Sequence, residues 1–401
     1  MECNQKLIIT KQEQKIISML VQGQEAIELH CVCEQKKNLA TLGNIYIGKV
    51  KNIVGNINAA FIEIAAGVEC YYAILENPTP IFTKKIGKKP LCIGDELLVQ
   101  VSREAVKTKV PTVSSKLELT GKYVVLTYGD TRIGASSKLP KVEKERLLTI
   151  AKEYASKDYG LILRTNAKEV TEDVLRTEIE RLISEYQKIV KTGSTRVCFS
   201  CLKSAPKQYL TELTNIYQDG LDKILIEDKE LYMEVKQYLE QTQPEDLEKL
   251  CLYEDKLLPL HKLYSVEKRI EYALKERVWL KSGAYLVIQP TEALTVIDVN
   301  TGKCIDKKHD DRAYLEIDKE AAKEAAKQIR LRNLSGIIIV DFINLSKKEL
   351  IEELLQVFEK ELKKDPIATT LVDITKLHLV EVTRKKIRKP FHESYSEKIS
   401  V

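Results

Sequence analysis

Long apolar runs are missing from this sequence. No stretch approaches the roughly 18 residues that a membrane-spanning helix needs, and the first residues lack the cationic start and apolar core of a secretory signal peptide. We therefore expect a globular, cytoplasmic protein without a membrane segment. Its 401 residues, of which 44% are apolar, exceed the usual size of one hydrophobic core, so several domains are expected.

Several common catalytic motifs are missing too. The sequence has no GxxxxGK[ST] phosphate loop, no GxGxxG turn after a strand and no GxSxG elbow, and its five histidines form no HExxH pair. These absences argue against nucleotide hydrolysis at a P-loop and against serine-type catalysis. Chemistry based on acidic residues remains.

A disulfide framework is also not supported. The nine cysteines are odd in number and scattered, which is typical of reduced thiols in a cytosolic protein. The CVC segment at residues 31–33 and the CxxC segment at residues 198–201 could supply thiolates for zinc, but the second lacks the glycine or proline of a zinc knuckle. We interpret both as small apolar residues in strands and expect no zinc cofactor.

Two aliphatic strands that each deliver a carboxylate are the most informative feature that is present. Residues 293–300 (ALTVIDVN) carry Asp298 and Asn300, and residues 336–341 (GIIIVD) end at Asp341. Carboxylate and amide oxygens are hard ligands suited to magnesium, with manganese as an alternative, and such a cation can activate water against a phosphodiester. The alternative is that residues 298–302 form an Asx-type turn and that Asp341 caps a helix. Both interpretations stay open at this point.

Positive charge is concentrated near the end of the chain. The net charge of +5 is weak evidence for a polyanionic partner, but residues 384–389 (RKKIRK) hold five cations in six positions. We predict that Arg384 and Lys385, together with Lys303 beyond the first acidic strand, contact phosphates. A solvated helix end is the alternative.

Residues 44–119 show short alternating strands with glycine at the turns, which predicts a small closed β-barrel of five strands. Phe61 and Tyr71 supply aromatic faces, and Lys109 is one of several cations among them. This combination suits the stacking of single-stranded bases beside a phosphate track, with burial of Phe61 in the barrel core as the alternative. Farther along, Arg164 follows a strand end, where its guanidinium could face a phosphate, and residues 319–332 form a predicted helix.

Several long segments resemble the bacterial ribonuclease E/G family. Those similar to its catalytic motifs are residues 283–288 (GAYLVI), 291–302 (TEALTVIDVNTG), 328–343 (QIRLRNLSGIIIVDFI) and 381–388 (EVTRKKIR). Residues 43–50 and 58–64 resemble that family's S1 domain, and residues 161–165 (LILRT) resemble its sensor for the RNA 5′ end. The resemblance extends over nearly the whole chain.

The resemblance assigns roles to individual residues. It implies that Asp298 and Asp341 are magnesium ligands and that Asn300 assists them. The implied RNA contacts in the S1 domain are Phe61, Tyr71 and Lys109. The implied pocket for a 5′-monophosphate consists of Gly121, Val125, Arg164 and Thr165.

The resemblance also implies an α/β and α+β multidomain fold. Its parts are a split RNase H-like unit (residues 1–37 and 195–272), an S1-type OB-fold barrel (38–119), a 5′-sensor unit (120–194) and a DNase I-like catalytic unit (273–401). The family usually continues into a paired-cysteine segment that binds zinc between subunits and then a small dimerisation domain. Residues 389–401 contain no cysteine, so we expect no zinc-linked interface, and a homodimer formed in another way is compatible with the sequence.

The resulting functional hypothesis is a magnesium-dependent endoribonuclease. It would cleave single-stranded RNA by a metal-activated water, leave a 5′-phosphate and a 3′-hydroxyl, and act in rRNA or tRNA processing or in mRNA decay. The alternative is a non-catalytic RNA-binding or ribosome-associated factor that keeps the barrel. Cleavage of DNA is a third possibility.

Overall fold

The computed structural model describes residues 5–33, 39–105, 109–216, 221–302 and 311–396. The chain divides into two compact units, of which the first comprises residues 1–34, 216–240 and 245–401 and the second residues 35–215 and 241–244. Among the described residues, no helix is both long enough and apolar enough to cross a bilayer. The mixed α/β, multidomain fold class predicted from the sequence is confirmed.

In the described part of the chain, twelve strands precede the first α-helix, and strands and helices are interspersed after it. The strands are β1 (Gln5–Gln12), β2 (Lys15–Gln22), β3 (Glu25–Cys33), β4 (Ile45–Val54), β5 (Ala59–Ala65), β6 (Val68–Ala73), β7 (Phe82–Lys84), β8 (Glu96–Arg103), β9 (Thr112–Ser114), β10 (Glu118–Thr120), β11 (Val124–Tyr128), β12 (Ile133–Ala135), β13 (Tyr159–Leu163), β14 (Cys201–Lys203), β15 (Leu221–Ile226), β16 (Leu250–Leu252), β17 (Arg277–Trp279), β18 (Tyr285–Pro290), β19 (Leu294–Asn300), β20 (Gly336–Asp341), β21 (Thr369–Ile374) and β22 (Leu379–Arg384). The α-helices are α1 (Lys141–Lys152), α2 (Glu172–Gly193), α3 (Gln208–Asn215), α4 (Lys229–Thr242), α5 (Leu260–Leu263), α6 (Val266–Leu274), α7 (Asp311–Leu331), α8 (Lys348–Leu362) and α9 (Phe391–Ser396). Short 3-10 turns cover Gly55–Ile57, Thr165–Ala167 and Pro244–Lys249.

The first unit contains two mixed sheets. One has the strand order β16-β15-β1-β2-β3, in which β1 is parallel to β15 and antiparallel to β2. The other, which we call the six-stranded sheet, has the order β17-β18-β19-β20-β22-β21. In the six-stranded sheet β19 and β20 are parallel, and the other neighbours are antiparallel.

One face of the six-stranded sheet packs against α7 and α8. Alternate residues of β19 and β20, such as Ile297 and Val340, are buried in a core with these helices, while the residues between them are at least partly exposed. Small residues of α7, including Ala322 and Ala325, let the helix approach the sheet closely. Helix α7 begins at Asp311, whereas the sequence predicted a start at Lys319. Leu315 extends the buried stripe of the helix toward its N-terminus, and burial of this side chain stabilises the added turns.

The second unit contains the barrel. Strands β4, β5, β6, β9 and β8 follow one another, and an additional pairing of β4 with β8 closes the ring. The predicted closed barrel of five strands is confirmed. Strand β14 pairs with β4, and residues 195–215 belong to the same compact unit as the barrel. A separate sheet, β10-β11-β13-β12, packs against α2.

Candidate active site

Asp298 and Asp341 are direct neighbours in the six-stranded sheet. They are register partners across the parallel strands β19 and β20, and neighbouring strands lie about 4.8 Å apart. Their side chains leave the sheet opposite α7, on what we call the acid face, together with Asn300. Asp298 lies within a strand, and α8 begins at Lys348, well beyond Asp341. The turn and helix-cap alternatives are therefore wrong.

Two interactions act on the carboxyl groups of Asp298 and Asp341: a hydrogen bond from Asn300, and the repulsion between the two acids. The Nδ2 atom of Asn300 donates a hydrogen bond of 2.6 Å to Oδ2 of Asp298, which orients that carboxylate. Burial, and then the negative charge of Asp298, raise the pKa of Asp341 above its usual range. A cation between the two carboxylates would relieve this repulsion.

The donor set fits magnesium. Magnesium is typically bound by one or two carboxylates and keeps its other positions for water and phosphate oxygens. In the part of the chain that the structure describes, no group of three or more His, Cys, Asp or Glu side chains is arranged to hold a metal ion. Two carboxylates with an orienting amide match an open magnesium site better than a closed protein cage.

Gly302 ends the motif that carries Asp298 and Asn300. It has a φ of +59°, and a Cβ atom there would lie 2.5 Å from the carbonyl oxygen of Gly283. A side chain would therefore meet both backbone strain and a backbone clash. Glycine at this position lets the chain leave β19 directly beside the start of β18.

The barrel presents an aromatic pair on its outer surface. Phe61 and Tyr71 are register partners on β5 and β6, and their ring centroids lie 6.4 Å apart in an edge-to-face arrangement. Both are partly exposed, whereas the next residue, Tyr72, is buried, so the core alternative for Phe61 is wrong. Lys109 is exposed and lies close in the chain to Pro111, whose carbonyl accepts the backbone N–H of Tyr71. Three residues expected to contact RNA thus lie along adjacent backbone segments.

Arg164 lies at the end of β13, where local acceptors hold its guanidinium. Its Nη1 atom donates to the carbonyl oxygens of Gly121, at 2.7 Å, and Thr214, at 3.0 Å. Its Nη2 atom donates to Oδ1 of Asn215 at 2.7 Å. The structure therefore brings Arg164 and Gly121 together, with the fork of the guanidinium directed at protein oxygens.

The other residues of the expected pocket surround this contact. Val125 pairs with Ile162, which places it on the same face of the sheet as Arg164, and Thr165 Oγ1 lies 2.9 Å from Ser136 Oγ. Thr165 follows Arg164 directly in the chain. All four predicted pocket residues therefore lie in one small region of the second unit.

Gly121 has a packing reason of its own. A Cβ atom there would lie 2.4 Å from Oε1 of Glu178. The buried Glu178 carboxylate accepts three backbone N–H groups at 2.7–2.9 Å, those of Lys122, Tyr123 and Val124. The three N–H groups together form an anion-binding site, and the carboxylate of Glu178 occupies it.

Comparison with known proteins identifies the family. A model of the ribonuclease E/G family matches residues 118–387. The chain is 31% identical over 372 residues to ribonuclease G of Haemophilus influenzae, an alignment that covers 90% of this chain and 75% of that protein. It is 30% identical over 375 residues to ribonuclease G of Escherichia coli strain K12, covering 90% and 76%. It is 30% identical over 364 residues to ribonuclease E of Synechocystis sp., covering 89% and 54%.

The chain belongs to the ribonuclease E/G family. The predictions of this family and of an endoribonuclease, made from the sequence, are confirmed by these similarities. The match to the family model includes the strands that carry Asp298 and Asp341 and the strand that ends before Arg164.

Arg384 of this ribonuclease lies inside the first unit. Its Nε atom donates to Oδ2 of the buried Asp365 at 2.7 Å. Its Nη1 atom donates to Asn333 Oδ1 at 2.7 Å and to the carbonyl oxygen of Leu334 at 3.0 Å. The expected contact of Arg384 with an RNA phosphate does not agree with this placement, because Asp365 neutralises the buried charge. The guanidinium ties β22 to the segment that follows α8 and to the segment that precedes β20.

The rest of the basic segment is on the surface of this ribonuclease. Lys385 and Lys386 are exposed, so the phosphate contact expected for Lys385 is compatible with its position. Lys303, the third cation expected to contact RNA, lies outside the residues that the structure describes.

Asp318 is a residue near the site that the sequence reasoning missed. It is fully buried on α7, where its Oδ1 atom accepts the backbone N–H of Ile343 at 3.0 Å, just beyond Asp341. Burial, opposed by this hydrogen bond and assisted by the charge of Asp341, raises the pKa of Asp318 to about 8. The sequence contained a signal, since helical spacing places Asp318 on the buried stripe between Leu315 and Ala322.

We expect the Asp318→Asn variant to be more stable than wild type by an amount that grows with pH. The folded chain retains the Asp318 proton up to about pH 8, whereas the unfolded chain releases it near pH ~4. The folded state therefore binds more protons in this window, and wild-type stability falls as the pH rises. Asparagine cannot titrate and keeps an oxygen for the N–H of Ile343, so the difference should grow by about 2 to 4 kcal/mol from pH 5 to pH 8.

Urea unfolding in EDTA at several pH values measures this difference. Glu271→Gln, which neutralises an exposed carboxylate on α6 of the same unit, serves as the control and should show no such trend. A difference between Asp318→Asn and wild type that stays constant with pH would contradict the raised pKa.

Proposed function

We propose that this chain is a magnesium-dependent endoribonuclease that hydrolyses phosphodiester bonds within single-stranded RNA, leaving a 5′-phosphate and a 3′-hydroxyl. The observation that supports this proposal most directly is the pairing of Asp298 with Asp341 across two parallel strands in a chain of the ribonuclease E/G family. Its setting would be rRNA or tRNA processing or mRNA decay in the cytoplasm.

The side chains of the acid face divide the work between them. Asp298 and Asp341 would hold the cation, and Asn300 keeps the Asp298 carboxylate in one orientation through its amide hydrogen bond. When bound, magnesium would lower the pKa of a water molecule and neutralise the charge that develops on the phosphodiester. The raised pKa of Asp341 means that metal binding must compete with protonation, so activity should fall at acidic pH.

The barrel would hold the RNA strand. The partly exposed rings of Phe61 and Tyr71 suit stacking against one or two bases, and Lys109 suits contact with the RNA backbone beside them. Stacking of this kind needs unpaired bases, which accounts for a single-stranded substrate.

The Arg164 region is proposed as the site for a 5′-monophosphate. The guanidinium of Arg164 now donates its hydrogen bonds to oxygens of Gly121, Thr214 and Asn215. A phosphate bound there would replace these acceptors with its own oxygens. Bidentate contact with phosphate is the geometry in which arginine binds most strongly, and this favours the exchange.

The test uses the purified full chain and a 5′-labelled, A/U-rich single-stranded RNA. We expect internal cuts in magnesium, none in EDTA, products with a 5′-phosphate, and no cutting of the deoxy version of the same sequence. The alternative, a non-catalytic RNA-binding factor, predicts binding without cuts in either magnesium or manganese. Cutting that persists unchanged in EDTA would contradict the metal requirement.

A further inference from the structure

The acid face carries an aromatic and cationic cluster that the proposed cleavage chemistry does not use. Trp279 on β17 and Tyr285 on β18 are register partners, and their ring centroids lie 5.0 Å apart. The guanidinium carbon of Arg277 lies 4.5 Å from the centroid of the Tyr285 ring and 6.0 Å from that of the Trp279 ring. We call these three residues the aromatic platform.

The aromatic platform lies in line with the acidic site. Tyr285 also pairs with Asn300, so Trp279, Tyr285 and Asn300 form one row across β17, β18 and β19. The intervening residues Val278 and Leu286 are fully buried, so the platform faces away from α7, as the acids do. Strand spacing places the backbone of Tyr285 about 5 Å, and that of Trp279 about 10 Å, from the backbone of Asn300.

Exposure and charge indicate what the aromatic platform binds. Trp279 is 58% exposed, so folding leaves most of a large flat ring in water. Arg277 is exposed beside it and places a positive charge over both rings. An aromatic face next to a cation is the combination that binds a nucleobase by stacking and its phosphate by charge.

We propose that Trp279 and Tyr285 bind a nucleobase of single-stranded RNA adjacent to the bond that is cut, and that Arg277 contacts the neighbouring phosphate. This inference rests on the proposed function, which brings RNA to Asp298 and Asp341. Stacking tolerates every base, so the aromatic platform would orient the strand without selecting a sequence. It positions the substrate and takes no part in the chemistry.

Trp279 is the single tryptophan of the chain, so tryptophan fluorescence, excited where the 18 tyrosines do not absorb, reports on this surface alone. The full chain in EDTA is titrated with a short, unlabelled single-stranded RNA, and binding is followed separately by the anisotropy of the same RNA carrying a dye. We expect saturable quenching with the midpoint that anisotropy gives. Trp279→Ala should weaken binding about 5- to 100-fold, and Trp279→Phe should recover most of it.

Kinetics in magnesium add a second measurement. Trp279→Ala should raise KM more than it lowers kcat, because the lost contact binds substrate before the reaction as well as during it. Val372→Ala removes another exposed apolar side chain of the six-stranded sheet, on β21 at the opposite edge, where Val372 is 53% exposed. This control should bind and cut RNA as wild type does.

The outcomes separate this inference from the proposed function. If anisotropy shows RNA binding but Trp279 fluorescence is not quenched, and Trp279→Ala binds RNA with wild-type affinity, the role of the aromatic platform is overturned. The ribonuclease proposal is then unaffected. No RNA binding at all overturns both. A change of oligomeric state in Trp279→Ala by light scattering, with unchanged RNA affinity, assigns the surface to a protein partner and also overturns the inference.

Discussion

We expect Asp341→Asn to cut single-stranded RNA at least about a hundredfold more slowly than wild type while binding it with similar affinity. Asparagine keeps the shape of the side chain but removes one negatively charged ligand from the pair with Asp298. A bound metal ion contributes several kcal/mol of charge stabilisation, and each 1.36 kcal/mol corresponds to about a tenfold change in rate. Single-turnover rates at saturating RNA in magnesium, with anisotropy in EDTA, measure the two quantities.

The remaining variants sharpen this test. Asp298→Asn should behave like Asp341→Asn, and the double variant should be little slower than either single one, because the two ligands act as a unit. Asp373→Asn neutralises an exposed carboxylate on β21 of the same sheet and should cut at the wild-type rate. A fast Asp341→Asn enzyme would show that this carboxylate does not hold the metal.

The second large effect is on stability. Arg384→Ala should lower the free energy of unfolding by about 3 to 5 kcal/mol, because it leaves the buried Asp365 carboxylate without its cation. It also removes the donors to Asn333 and Leu334. Urea unfolding followed by circular dichroism measures the change.

Lys385→Ala is the matched control for Arg384→Ala, since it removes the next cation along the chain from an exposed position. It should change stability by no more than about 0.5 kcal/mol and should weaken RNA binding at low salt. An Arg384→Ala variant as stable as wild type but deficient in RNA binding would restore the phosphate contact first expected from the sequence.

Local patterns were sufficient for much of the fold. Alternation of apolar and polar residues along residues 44–119 predicted the strands of the barrel. Successive side chains of a strand point to opposite faces, so a strand with one buried face has an apolar residue at every second position. The same two-residue period applies to Arg384, whose contact with a phosphate was predicted only from its place in the basic segment at residues 384–389. Val380, Val382 and Arg384 occupy alternate positions of β22 and share its buried face, so their spacing already pointed Arg384 inward.

The candidate site was predictable to a different extent for each residue. Acidic residues at the ends of aliphatic strands pointed to Asp298 and Asp341. Helical spacing put Asp318 on a buried stripe, but its contact with the backbone of Ile343 depends on tertiary structure. Trp279 and Tyr285 were missed for the same reason, because their proximity to Asn300 depends on which strands pair and in which register.

The amino-acid sequence alone was enough to predict the family and the endoribonuclease class, from hard oxygen ligands at strand ends, aromatics among cations, and family motifs in order. These depend on residue type and short-range periodicity. Tertiary pairing established which of these groups meet. It set Asp298 beside Asp341, turned Phe61 outward and Arg384 inward, and aligned the aromatic platform with the acids, because strand order and register are long-range choices made by burial of the whole sheet.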